Sequence, residues 1–124
     1  MGLVSSRREV AIEVARKKIR ICIGRGAELL DEIRPGWADS LDPTALDMES
    51  CSYCILGHLF GHYSVGREEA LRARPGLTTF DGDVFGFDLD LSEERELAAH
   101  GAGLSYFDLL AEEWTSYIRQ RQSS

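Results

Sequence analysis

Two short alternations of β-branched residues near the start constrain this chain most. Residues 9–15 read E-V-A-I-E-V-A and residues 19–23 read I-R-I-C-I, so Val10, Ile12 and Val14 alternate, as do Ile19, Ile21 and Ile23. Period two with β-branched side chains argues for strands. A helix would scatter these six residues onto opposite sides of its axis. Arg16-Lys17-Lys18 then becomes the connection of a β-hairpin over residues 9–23, although it lacks the Gly or Asn of a tight hairpin turn. An isolated hairpin is marginal in water, so it must pack on helices, gain a third strand or pair with another chain. The expected fold is α+β: one small domain with an N-terminal β-hairpin packed with about three main helices. Residues 26–121 form its mainly helical body, and residues 1–5 and 122–124 are expected to be disordered.

Within that body, Gly24-Arg25-Gly26 reads as a turn from strand to helix, since it completes no phosphate-loop motif. Leu29, Leu30 and Ile33 have helical spacing, Pro35-Gly36 ends the run, and Trp37 anchors the following loop in the core. A helix is expected from about Met48 to Tyr63, capped by Asp47 or Ser50. A short helical segment over Val65–Arg74 follows. Thr78-Thr79-Phe80 and Val84-Phe85 read as short extended pieces that flank a turn at Asp81-Gly82-Asp83. Ser92 can cap Glu93–His100, with Gly101 as its stop. Ser105 with Asp108 makes a capping box for an amphipathic helix that carries Tyr106, Phe107, Leu110, Trp114, Tyr117 and Ile118 and ends near Arg121.

The 124 residues are 44% hydrophobic and 28% charged, which suits one globular domain and not a disordered tail. No apolar run approaches the roughly 18 residues that cross a membrane. The start lacks the pattern of a signal peptide, and three cysteines make no secreted disulfide framework, so a cytoplasmic location is expected. The net charge of −7 disfavours nonspecific nucleic-acid binding. It hides a split: residues 1–34 hold eight basic and five acidic side chains, a local +3, against −10 over the rest. A basic tip that docks on an acidic partner, or an acidic body that binds a basic one, follows from that division.

The segment from Asp47 to Tyr63 carries the clearest chemistry. On one helix, Cys51, Cys54, His58 and His62 would fall within about an 80° arc. Cys and His are zinc ligands, and Cys-x-x-Cys is a common half-site. Cys51 to His62 would rise about 16 Å, too far for a single tetrahedral ion. One zinc would therefore take Cys51, Cys54 and His58, or His58 with His62, and borrow ligands such as His100 or a group from a second subunit. A redox reading rests on a Cys at a helix N-terminus, where the thiolate is favoured. The plain alternative is small buried cysteines and histidines that pack or cap, with Cys22 as another packed thiol. Gly57 and Gly61, beside this stripe, could admit another backbone at close range.

This segment resembles a family of small uncharacterised proteins of actinobacteria and their phages. The resemblance is carried by Gly26-Ala27-Glu28-Leu29-Leu30-Asp31-Glu32, Pro35-Gly36-Trp37, Leu46-Asp47-Met48, Cys51–Gly61 with its Cys54-Ile55-Leu56-Gly57, and Gly86-Phe87-Asp88. Leu110, Trp114 and Ile118 follow the same trend, so it covers roughly residues 24–121. Family members commonly have Gln where this chain has His58, which makes Cys51 and Cys54 the positions that carry over. The resemblance implies an origin and not a reaction.

No motif specifies a reaction. There is no nucleophile elbow, and Glu68-Glu69, Glu93-Glu94 and Glu112-Glu113 diverge on helices. Asp81, Asp83 and Gly86 mimic the start of a calcium loop, but Ser92 stands where a bidentate Glu is needed. The expected function is that of a non-enzymatic accessory protein of phage or prophage type. It would act by binding a host or phage protein, with no cofactor, no membrane and no nucleic acid, and with a homodimer through its strand edges. A zinc-binding regulatory or structural protein is the alternative, and an acidic DNA-mimic inhibitor is a third.

Overall fold

The structure, a computed structural model, describes residues 6–76 and 82–123. Its α-helices are α1 (Arg7–Ile33), α2 (Ile55–Phe60), α3 (Tyr63–Ala73), α4 (Leu91–Ala99) and α5 (Tyr106–Gln122), with single 3-10 turns at Trp37–Ser40, Pro43–Ala45 and Gly82–Phe85. The described residues contain no strand, so the expected α+β fold is overturned: the fold is all helical. Residues 9–23, expected as a hairpin, lie inside the 27-residue helix α1.

The reason is physical. Any period-two triplet also contains an i,i+4 pair, so Val10 with Val14 and Ile19 with Ile23 suit a helix as well. What decides is the continuation through the supposed turn. Ala15, Ile19, Ile23, Gly26 and Leu30 step by three or four residues, and they and Ala27 are all buried. Arg16-Lys17-Lys18 offers no turn former, and Ala11, Ala15 and the Lys, Arg and Glu residues around them favour helix. Ser6 caps the start, its Oγ accepting from the Glu9 N–H at 3.1 Å.

Helix α5 lies along α1. Arg16 bonds Glu112 and Glu113 at 2.7 and 2.8 Å, Arg20 bonds Glu113 at 2.7 Å, and Arg121 reaches Asp31 at 2.5 Å. These pairs advance in the same sense on both helices, so the two run in the same direction. The expected capping box is present, with Ser105 accepting from Asp108 N–H and Asp108 accepting from Ser105 N–H. Between the helices, Trp114 stacks on Phe87 at 5.7 Å and meets Trp37 edge-on at 5.9 Å. Trp37 is buried as expected and donates from Nε1 to Asp31 at 2.9 Å.

The segment around Gly86 is locked onto α1. Gly86 has φ +72°, and its carbonyl accepts from Trp114 Nε1 at 2.5 Å. A Cβ on Gly26 would lie 2.1 Å from the Phe85 carbonyl oxygen, so only glycine lets the two backbones meet. Gly26 is therefore a packing position inside a helix and not part of a strand-to-helix turn. Gly36 at φ +80° and Gly101 at φ +61° follow α1 and α4, as the sequence indicated. Asp90, not Ser92, caps α4, accepting from Glu93 N–H at 3.2 Å. The extended pieces expected at Thr78–Phe80, and Asp81 of the turn, lie outside the described residues. Gly82 and Asp83 do turn, but Val84 and Phe85, expected as an extended piece, belong to the same 3-10 turn.

Candidate functional site

The Cys/His segment does not fold as the single helix expected over Met48–Tyr63. Asp47 and Ser50 fold residues 47–53 into turns: Asp47 Oδ1 accepts from Glu49 N–H, and Ser50 Oγ from the Ser52 and Tyr53 N–H groups. This turn closes over α2, where a Cβ on Gly57 would come within 2.4 Å of Ser52 backbone. The glycine does admit a close backbone, that of the chain itself. Gly61, at φ +88°, ends α2 after six residues.

The four candidate ligands consequently part company. Cys54 is buried and caps α2, its Sγ accepting from Gly57 N–H at 3.3 Å. Burial pushes its thiol pKa up despite the helix N–H groups, the reverse of what a reactive thiolate needs. Cys51 is exposed. His58 Nε2 lies 3.0 Å from the Ala45 carbonyl. His62 caps α3, its Nδ1 accepting from Ser64 N–H at 3.1 Å. Among the described residues, no three His, Cys, Asp or Glu side chains gather closely enough to hold a metal ion. A hollow of about 90 Å³ bordered by Cys51, Cys54, Tyr63 and Asp88 is too small for an organic substrate. Burial there pushes the Tyr63 hydroxyl up to about 12, so it stays protonated.

A larger feature lies where the hairpin was expected. At 100° per residue, Val10, Val14 and Ile21 fall within about a 40° arc, half a turn from the buried stripe of α1. All three are exposed, at 50%, 44% and 59%. Val10 and Val14 open into a groove of about 570 Å³ between α1 and α4. Ala11 continues its apolar floor, Arg7 and Lys18 stand on the α1 side, and Glu93, Glu96 and His100 on the α4 side. Lys18 is bonded to the buried Glu93 carboxylate, which raises the ammonium pKa and ties α4 to α1. Glu96 pairs with His100 at 3.3 Å.

Ion pairing divides the basic residues of α1. Arg16, Lys18 and Arg20 are held by carboxylates of α4 and α5. Arg7, Lys17 and Arg25 make no ion pair among the described residues, and at 100° per residue they flank the exposed stripe. The Arg16–Arg20 cluster is thus largely neutralised within the molecule.

Sequence reasoning singled out Val10, Val14 and Ile21, but as strand residues. Plotting them at 100° instead of 180° would have revealed a second apolar face. The α4 side of the groove had no sequence signal, because Lys18 and Glu93 are 75 residues apart. No family model matches the chain, and neither a curated protein nor a solved structure matches it. No helix among the described residues is long and apolar enough to cross a membrane.

Proposed function

We propose that this chain is a non-enzymatic accessory protein that acts by binding another protein through the outer face of α1 and the groove beside α4. The observation that carries this reading is the exposed line of Val10, Val14 and Ile21 on a helix whose opposite face already fills the core. Helix surfaces with apolar residues at such spacing are bound by partner helices or grooves. A phage or prophage origin is supported only by the resemblance in Gly26–Trp37 and Cys51–Gly61. The buried Cys54 and half-buried Tyr63, both protonated, offer no prepared nucleophile or base, which fits a binding role better than a catalytic one.

The test is a capture experiment with the full chain and its Val14→Glu variant on parallel supports, using lysate from the organism that encodes it. A partner retained by the native chain and lost with Val14→Glu is expected. Capture that is the same for both, or absent from both, would reject this face as the binding site.

A further inference from the structure

The partner's chemistry can be narrowed, on the premise that the outer face of α1 is the protein-binding site. Val10 to Ile21 spans eleven residues, about 16 Å of helix, or three turns. Lys17 borders the apolar line on one side within that length, and Arg7 and Arg25 flank it on the other side just beyond its two ends, with Glu28 on the line past Ile21. None of the three is paired with a carboxylate among the described residues. Of the acidic residues of the same stretch, Glu9 lies toward the buried side, while Glu13 lies one turn from Lys17 on that edge and meets Arg20 at 3.6 Å. The exposed face is therefore apolar along its centre and cationic along both edges.

We propose that this face docks an amphipathic helix of another protein whose apolar stripe is flanked by carboxylates. Its apolar side chains would cover Val10, Val14 and Ile21, and its carboxylates would pair with Arg7, Lys17 and Arg25. A second copy of α1 fits poorly, because it would bring the same three cations against themselves. A flat anionic membrane also fits poorly, because it would meet Glu96 on the α4 side and the acidic remainder of the chain.

The test titrates the purified full chain with two synthetic 21-residue helical peptides that share one leucine stripe, with either Glu or Lys on its flanks. Phosphatidylserine vesicles, duplex DNA and sedimentation equilibrium of the protein alone complete the set. The Glu-flanked peptide is expected to bind at least tenfold tighter than the Lys-flanked one, and to weaken as salt rises. Val14→Glu and Lys17→Glu are each expected to cost at least tenfold, with melting temperatures unchanged. Equal or reversed peptide preference, tighter binding to vesicles or DNA, or self-association lost in Val14→Glu would each overturn the proposal. Reversed preference that still depends on Val14 would leave the face as the binding site and refute only the acidic partner. Failure of both peptides would refute the helical partner, and the lysate comparison would then decide whether the face binds protein at all.

Discussion

Helix α1 carries two apolar stripes half a turn apart, and they have opposite fates. Ala15, Ile19, Ile23, Gly26 and Leu30 are buried against α5, the Gly82–Phe85 turn and the aromatic cluster. Val10, Val14 and Ile21 are exposed. The residue types are nearly the same, so hydrophobicity alone does not decide burial. The inner stripe continues unbroken into Ala27 and Leu30 and meets complementary glycine and aromatic positions. The outer stripe is bordered by Lys17 and stops at Ile21, with Glu28 the next residue on its line. One helix thus supplies the core from one side and a binding surface from the other.

Substitutions at matched positions sharpen this contrast. The largest expected effect is at Gly26. Gly26→Val would drive side-chain atoms into the Phe85 carbonyl, and a loss of about 3 kcal/mol or more, or failure to fold, is expected in chemical denaturation. Ile23→Ala should cost about 2–5 kcal/mol by opening a cavity, whereas Ile21→Ala, two residues away, should stay within about 0.5 kcal/mol. If both isoleucines cost the same, the two-face description fails. Gly24→Ala should stabilise the protein by about 0.5–1 kcal/mol, because no atom lies within 4 Å of its added Cβ and the position is helical.

The smallest effect is electrostatic and belongs to the inner side. Burial alone would raise the Asp31 and Glu113 pKa values. Arg121 and Trp37 around Asp31, and Arg20 and Arg16 around Glu113, outweigh burial and hold both below their ordinary 3.8 and 4.5. Groups depressed in the folded state stabilise it above the ordinary carboxylate range. That stabilisation is lost as pH falls through the range and below it. A denaturation series from neutral to acid pH should show this decline, and Glu113→Gln should flatten it. A slope unchanged in Glu113→Gln would remove the α1–α5 ion pairs from the account.

The parts legible in the sequence were those governed by local rules. Ser105 and Asp108 announced α5, Gly101 marked the end of α4, and Pro35-Gly36 bounded α1, because caps and stops are decided within a few residues. The α1 helix was misread because five-residue alternations satisfy two periods at once. The continuation that separates them depends on α5 and on the Phe85–Phe87 backbone, which are distant in sequence. At the Cys/His segment the residue types were visible, but the turns made by Asp47 and Ser50 and the stop at Gly61 broke the helix that would have aligned them. Gly57 is required by a turn that folds back from Ser52. The groove, built by α1 with α4, could not be read from either helix alone.

Both faces of α1 require one helix through Arg16-Lys17-Lys18, since a hairpin would abolish both at once. Backbone NMR chemical shifts of the full chain test this most directly. The account predicts uniformly helical Cα shifts from Arg7 to Ile33, with i to i+3 contacts across residues 15–19. Extended shifts over residues 10–14 and 19–23, separated by a turn at residues 16–18, would contradict it.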